Sequence, residues 1–358
     1  MSILELSELS APLPPFPDGW YCIGLSRDLK NGEVQAHRFC GKELVVFRGQ
    51  NGLATVADAH CPHLGAHLGH CGAVVGNEIR CPAHGYQYQS DGVCQKNGYG
   101  TPPPARARLR TYPVQEVNEL LFFYYSQANR TPVWKLPQWN LMNWRALKAK
   151  QWTIETHVQD LQENGCDVGH FKYVHGYDEV RVIEAAKFEG PYLYAHYHFV
   201  RKQPFSTNPI VIDIHIHNYG LGYSYIDVNL ESFGARFEQF VFYAPIDETT
   251  SRIMIAAGVR ADTDLEKLPR IVQMLPKSLL LTLLNEVGFL AYQKDIKDDF
   301  KIWRYKKNMP HPAVSKGDGP LNQYRKYCRQ FYPEYNDLSH NKLYVPSDVE
   351  RISIRNNG

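Results

Sequence analysis

The chain has 358 residues, 44% of them apolar and 21% charged, with a formal net charge of +2. That balance fits a globular chain of about two domains with real cores. It excludes a strongly basic nucleic-acid binder and a polybasic membrane-surface protein. The eight cysteines follow no secretory leader, and a chain this long has no need of disulfides. They read as buried thiols or metal ligands in a soluble, cytoplasmic protein. The longest apolar stretch, residues 278–292, is broken by Asn285 and Glu286 and is too short and polar to span a membrane.

In chain order, residues 1–17 form a Pro-rich lead-in. Residues 18–126 read as a small all-β domain. Short β-type runs at 43–48, 53–58 and 120–125 alternate with turns at Asn31-Gly32, Asn51-Gly52 and Asp91-Gly92. Residues 127–145 hold Pro132 and Pro137 among Trp and Asn and read as a linker. Residues 146–337 mix both classes. Residues 152–175 look helical in part, 264–307 mostly helical and 320–331 helical, and long strand-like runs at 210–217, 222–230 and 236–244 suggest an antiparallel sheet. Residues 338–358 form a tail.

The strongest local signal is Cys61-Pro62-His63, followed 17 residues later by Cys81-Pro82-Ala83-His84. Each half offers one thiolate and one imidazole from a tight turn. Soft thiolates suit iron–sulfur clusters, and imidazole suits iron or zinc. Structural zinc prefers a second Cys at the place of each His, whereas two Cys on one iron and two His on the other define a Rieske centre. Gly65 and Gly85 follow the halves and leave room for the loops to close.

The second anchor spans residues 163–175. Asn164, Asp167 and His170 recur every third residue and share one helix face. His175 lies about 140° round an ideal helix from His170, so both reach one ion only if the helix ends between them. Two His and one carboxylate form the facial triad of non-heme iron(II) oxygenases, which leaves positions open for dioxygen and substrate. The carboxylate candidates are Asp295, Asp298 and Asp299, and spacing does not choose among them.

Together the two motifs resemble the Rieske-type non-heme iron oxygenases, specifically the terminal oxygenase (alpha) component. The resemblance implies an α+β architecture. An N-terminal all-β Rieske domain precedes a helix-grip (START-like) catalytic domain with an antiparallel sheet and covering helices. Ala66 and Ala83 stand where the respiratory type has its loop-linking cysteines, and Tyr86 where that type has Ser. The chain is thus similar to the lower-potential type that feeds oxygenases. The branch of ketosteroid 9α-hydroxylase and cholesterol 7-desaturase carries its iron Asp four residues before a Trp, which maps onto Asp299 and Trp303. Its Gly-Asp-Gly-Pro segment and following basic, aromatic helix match Gly317–Pro320 and 321–332.

By resemblance, Cys61, His63, Cys81 and His84 hold the 2Fe–2S cluster, and His170, His175 and Asp299 hold a mononuclear Fe(II). Asp167 bridges a neighbouring subunit's His84 to His170 within a homotrimer, and Asn164 belongs to the same catalytic segment. The family hydroxylates or desaturates hydrophobic, steroid-like or polycyclic substrates with dioxygen. Demethylation and aromatic cis-dihydroxylation are its other chemistries. The chain has neither a four-cysteine plant-type cluster nor a Gly-rich dinucleotide fingerprint. Electrons from NAD(P)H therefore come through a separate ferredoxin or reductase. The non-enzyme alternatives are a Rieske electron carrier with a degenerate second domain and a helix-grip binding module.

Overall fold

The computed structural model describes residues 13–139, 144–203, 206–268 and 273–333. The expected tail at 338–358 lies outside these residues, as do residues 1–12 of the lead-in.

The first domain consists of short strands because turn residues interrupt the chain every few positions. Gly32, Gly52 and Gly92 adopt φ of 81°, 81° and 83°, a left-handed turn conformation that costs glycine little. The strands are β1 (Gly19–Leu25), β2 (Val34–Phe39), β3 (Lys42–Arg48), β4 (Ala54–Asp58), β5 (Ala73–Val75), β6 (Glu78–Arg80), β7 (Gln87–Tyr88), β8 (Cys94–Lys96), β9 (Thr111–Tyr112), β10 (Val114–Val117) and β11 (Leu120–Tyr125). They form three antiparallel sheets, β1-β11-β10, β2-β3-β4-β9 and β5-β6-β7-β8. A single helical turn, α1 (Leu68–Cys71), lies between the two halves of the first metal motif.

The second domain opens with β12 (Lys148–Ile154), followed by the short helices α2 (Val158–Gln162) and α3 (Val168–Tyr173). A meander comes next: β13 (Glu179–Glu189), β14 (Tyr192–Gln203), β15 (Ser206–Tyr219), β16 (Tyr223–Leu230), β17 (Ala235–Pro245) and β18 (Ser251–Val259). The helices α4 (Lys277–Trp303) and α5 (Leu321–Cys328) close the domain. The seven strands make one antiparallel sheet in the order β12-β18-β17-β16-β15-β14-β13. Helix α4 buries Leu280, Leu281, Asn285, Phe289, Tyr292, Asp299 and Trp303. Tyr292 donates to the Phe240 carbonyl at 3.1 Å, and Asn285 accepts from the Val259 N–H at 2.9 Å. These bonds fix the helix in rotation and height over the sheet, the arrangement of a helix grip. Its outer side remains apolar, with Leu279, Leu283, Val287 and Leu290 exposed.

The 152–175 segment is helical in part, as read: its first residues finish β12, which pairs with β18 from Lys148 to Ile154, and α2 and α3 follow. The edge strand β13 carried no expectation; it is mostly exposed. The described part of the 127–145 stretch, read as a linker, is anchored rather than solvated. Trp134, Leu136 and Trp139 are buried in the principal core.

That core crosses the domain boundary. Trp20, Cys22, Phe122 and Tyr124 of the first domain pack in one cluster with Tyr223, Phe240, Phe242 and Ile255 of the second. Trp20 donates from its indole to the Trp134 carbonyl at 2.9 Å, and Trp139 donates to the Tyr223 hydroxyl at 2.9 Å. From β18, buried Arg252 donates to the Cys22 and Ile23 carbonyls and lies over the Phe39 ring at 4.4 Å. Burial pulls its pKa down to about 10. The two domains thus share one apolar interior and one buried cation.

Gly222 makes a close backbone approach across this junction: an added Cβ would collide with the Trp20 carbonyl oxygen and crowd the Tyr21 ring. Overpacking against backbone typically costs about 1–3 kcal/mol. Gly222→Ala is therefore expected to lower the thermal midpoint in calorimetry, and an unchanged midpoint would contradict this domain packing.

Candidate metal centres

In the first motif the two halves fold alike. The Cys61 N–H donates to the Ala66 carbonyl at 2.9 Å and the Gly65 N–H returns to the Cys61 carbonyl at 2.9 Å. In the second half, Cys81 donates to Tyr86 at 2.8 Å and Gly85 returns to Cys81 at 3.0 Å. Gly65 and Gly85 close these loops with φ of 81° and 69°. An added Cβ at Gly85 would run into Gly98, so the second loop depends on glycine for space as well as for conformation.

The loops pair the expected ligands, Cys61 with Cys81 and His63 with His84. Cys61 and Cys81 are buried, while His63 and His84 sit half-exposed with ring centroids 4.6 Å apart at 90°. His63 stacks on Tyr86 at 4.5 Å, and its Nδ1 is buried without a hydrogen-bond partner. An orphaned imidazole nitrogen is costly unless a cation completes it. Burial pushes the Cys81 thiol up, and Cys61 beside it adds to the effect. Paired thiols of this kind ionise readily only with a metal present. The donor set fits a cluster with thiolates inside and imidazoles outside. Tyr88, which the motif reading did not single out, places its hydroxyl 3.1 Å from Cys61 Sγ. A hydrogen bond to a cluster sulfur raises its potential. Strand alternation around Tyr86 and Tyr88 carried the only sequence signal for it.

In the second motif, α3 starts at Asp167, whose Oδ1 accepts the His170 N–H at 3.2 Å as an N-cap. The helix ends at Tyr173, one turn later, and Gly176 takes φ of 69°. His175 therefore folds back towards His170, with ring centroids 5.1 Å apart. The break expected between the two imidazoles is present.

Candidate ligand atoms of His170, His175 and Asp299 lie within 4.8 Å of one another, with His175 Nε2 3.6 Å from Asp299 Oδ2. His170 Nδ1 donates to the Asp167 backbone carbonyl, which leaves Nε2 free to ligate. His175 Nδ1 is buried and unpartnered. Burial pulls both imidazoles down to about 4, the neutral form that binds metal. Burial also pushes Asp299 up to about 7, against a lowering hydrogen bond from Asn164. A carboxyl this uncomfortable as an anion suits a nearby cation.

The other acids separate by environment. Asp298 pairs with Lys294 at 2.8 Å and is 35% exposed. Asp295 and Asp298 form a second grouping with His175, but one that lacks His170. Asn164 accepts from the Trp303 indole at 3.3 Å while serving Asp299, so Trp303 and Asn164 together orient the carboxylate. The Asp167 carboxylate caps the helix, and its contact to His170 runs through backbone rather than imidazole.

Glu163, not singled out from the sequence, is 4% exposed and takes Lys306 at 2.8 Å and Arg325 at 2.7 Å. Burial alone would raise its pKa, but the Arg325 and Lys306 contacts hold it below the ordinary range. Aromatic rings flank the site: Phe171 lies 4.8 Å from Phe199, which stacks on Tyr177 at 4.7 Å.

Gly319 of the Gly-Asp-Gly-Pro segment sits at φ 90°, and an added Cβ would collide with the Cys166 carbonyl oxygen. Forcing a side chain there costs about 1–3 kcal/mol in backbone strain alone. Gly319→Ala is expected to displace the Cys166–His170 turn. Iron content should fall from about three towards about two per chain while the cluster's visible absorption persists. Full iron occupancy with wild-type stability would contradict this.

Comparison with known proteins agrees with this geometry. Residues 123–332 match the family model of the 3-ketosteroid 9alpha-hydroxylase C-terminal domain, and residues 19–113 match the Rieske [2Fe-2S] domain. The chain is 26% identical to cholesterol 7-desaturase nvd of Drosophila melanogaster, covering 95% of this chain and 80% of that protein. It is 28% identical to a probable 3-ketosteroid-9-alpha-monooxygenase oxygenase component of Rhodococcus rhodochrous, covering 92% and 84%. Among solved structures it resembles Pseudomonas putida CBB5 NdmA with caffeine, at TM-score 0.65 and 19% identity over 87% of this chain and 89% of that one. It also resembles dicamba monooxygenase bound to dicamba, at TM-score 0.61 and 15% identity over 87% and 96%. No helix among the described residues is long and apolar enough to cross a membrane. The cofactors are a Rieske 2Fe–2S cluster and a mononuclear iron. The chain is an oxidoreductase that belongs to the Rieske-type non-heme iron oxygenases, with a catalytic domain of the 3-ketosteroid 9α-hydroxylase family.

Proposed function

We propose that this chain is a terminal monooxygenase that hydroxylates or desaturates a hydrophobic, steroid-like or polycyclic substrate, working in the cytoplasm with electrons from a separate ferredoxin or reductase. The observation that carries it is the gathering of His170, His175 and Asp299 ligand atoms within 4.8 Å of one another, in a chain that also presents a two-Cys, two-His loop pair. When bound, the cluster supplies single electrons and the mononuclear iron activates dioxygen for attack on a C–H bond.

The chain's own residues supply position and environment. Cys61, His63, Cys81 and His84 hold the cluster; His170, His175 and Asp299 hold the iron. The Asp167 carbonyl sets the His170 tautomer, and Asn164 and Trp303 aim Asp299. Phe171, Tyr177 and Phe199 present aromatic surface beside the site, which favours an apolar substrate and excludes water. The steroid-like class is supported by the family of the catalytic domain and by the named activities of the relatives. NAD(P)H acts only through the reductase, a partner suggested by the Rhodococcus relative's description as an oxygenase component.

Asp167 is assigned a second role in a homotrimer, its carboxylate linking the neighbouring subunit's His84 to this chain's His170 segment. Asparagine is as good an N-cap as aspartate, so Asp167→Asn preserves the α3 start while removing the charge. The variant is expected to keep both iron sites by metal analysis and cluster absorption, yet to lose most coupled turnover. Wild-type turnover would refute the bridge.

Substrate class is tested by product analysis with a surrogate reductase and a panel of sterols, 3-ketosteroids, aromatic hydrocarbons and methylated amines or ethers. A hydroxylated or desaturated steroid is expected. Turnover confined to demethylation or to cis-dihydrodiol formation would overturn the steroid assignment, and no oxygenation with a fully iron-loaded protein would favour an electron carrier.

A further inference from the structure

The outer face of the second domain's sheet carries a histidine-rich cluster that neither iron centre uses. Register builds it. His196 on β14 lies directly opposite His215 on β15, and His198 lies opposite Asp213. Residues two apart on a strand share a face, so these four side chains converge on one patch. Glu184 on β13 stands opposite His196, and Asp227 on β16 opposite His215, which extends the same row across four strands.

Asp213 draws the three imidazoles together, through a hydrogen bond with His196 and close contacts to His215 and His198. Asp213 Oδ1 lies 2.8 Å from His196 Nε2 and 3.3 Å from His215 Nε2, and its Oδ2 lies 3.5 Å from His198 Nδ1. With metal–ligand bonds of about 2.0–2.2 Å, two ligand atoms set 90–110° apart on one ion stand about 2.8–3.6 Å from each other. Both Oδ1 separations fall within that range. The candidate ligand atoms of His196, Asp213 and His215 all lie within 4.8 Å of one another.

A tautomer suited to a metal is within reach. Glu184 accepts from the Tyr194 hydroxyl at 3.5 Å, and Tyr194 Oη lies 2.9 Å from His215 Nδ1. When the hydroxyl proton points at Glu184, His215 Nδ1 donates to Tyr194 Oη and Nε2 is left with its lone pair beside Asp213. Such a carboxylate-anchored tautomer is the usual support behind a ligating imidazole. The His196 and His215 rings stack at 3.9 Å, so protonating both would set like charges face to face. Burial and the neighbouring His196 accordingly hold His215 below the ordinary histidine range.

We infer that His196, Asp213 and His215 form a third metal site on the outer sheet face, taking a borderline divalent transition metal such as zinc, with His198 or Glu184 available as a fourth ligand. Two imidazoles and one carboxylate suit zinc, and a four-coordinate ion needs no redox role. Bound there, it ties β14 to β15 beside the exposed edge strand β13.

The test uses the holoenzyme with both iron sites filled, so that zinc cannot enter them. Zinc is titrated against a chromophoric chelator and counted by elemental analysis. One zinc per chain beyond the iron is expected, with a rise in thermal midpoint on zinc addition. Asp213→Asn and the pair His196→Asn with His215→Asn should each weaken that zinc by about 100-fold or more and abolish the thermal shift. Retained cluster absorption in each variant checks folding. His60→Asn with His67→Asn, which dismantles the exposed Glu43, His60 and His67 grouping on the first domain, should leave zinc binding unchanged. No zinc bound by the wild-type holoenzyme, zinc unaffected by the β14–β15 variants, or zinc lost instead with His60 and His67 would each overturn the assignment.

Discussion

The second metal site depends on a buried ionic anchor. Glu163, at the start of the ligand-bearing segment, is enclosed with Lys306 and Arg325, which come from the region following α4 and from α5. A carboxylate this deeply buried is tolerable only with its charge matched and its oxygens hydrogen-bonded. Removing both cations would leave an uncompensated ion inside the protein. The segment that carries His170 and His175 is thus tied to the C-terminal part of the chain. The Trp303–Asn164 bond and the close approach of Gly319 to Cys166 act on the same few residues. The C-terminal segment supplies Asp299 and also clamps the turn that supplies the two imidazoles.

The same logic of shared support joins the domains. A solvated linker would let the cluster domain swing relative to the iron domain. Instead, Trp134 and Trp139 fill the junction, and Arg252 is buried between β18 and β1. A junction built as continuous core fixes the orientation of the first domain on the second. The helix grip adds a second fixed reference, since α4 carries Asp299 and is pinned to the sheet through Tyr292 and Asn285.

What could be read in the sequence followed the range of the interaction. The Cys61, His63, Cys81 and His84 set could be proposed from the sequence because each half is a short turn whose spacing constrains the geometry. The required break between His170 and His175 was legible from helix periodicity, and Val174 does end α3. Asp299 was not separable from Asp295 and Asp298 by spacing, because the choice is made by burial against the sheet and by Asn164, more than a hundred residues away in sequence. Glu163 and Arg252 carry no local pattern at all, and Tyr88 only strand alternation; their roles exist only once distant segments meet. Strand β13 stayed hidden because it is a mostly exposed edge strand. The 127–145 stretch was legible only in part, since its prolines signal a loop while its tryptophans are core.

The central claim is that one chain holds two chemically distinct iron centres built from these residues. Anomalous diffraction at the iron edge from crystals of the reconstituted protein tests it most directly. The account predicts a resolved pair of iron peaks between Cys61, His63, Cys81 and His84, and a single separate peak bounded by His170, His175 and Asp299. A single metal at the first site, or iron bound at the second through Asp295 and Asp298 without His170, would contradict it.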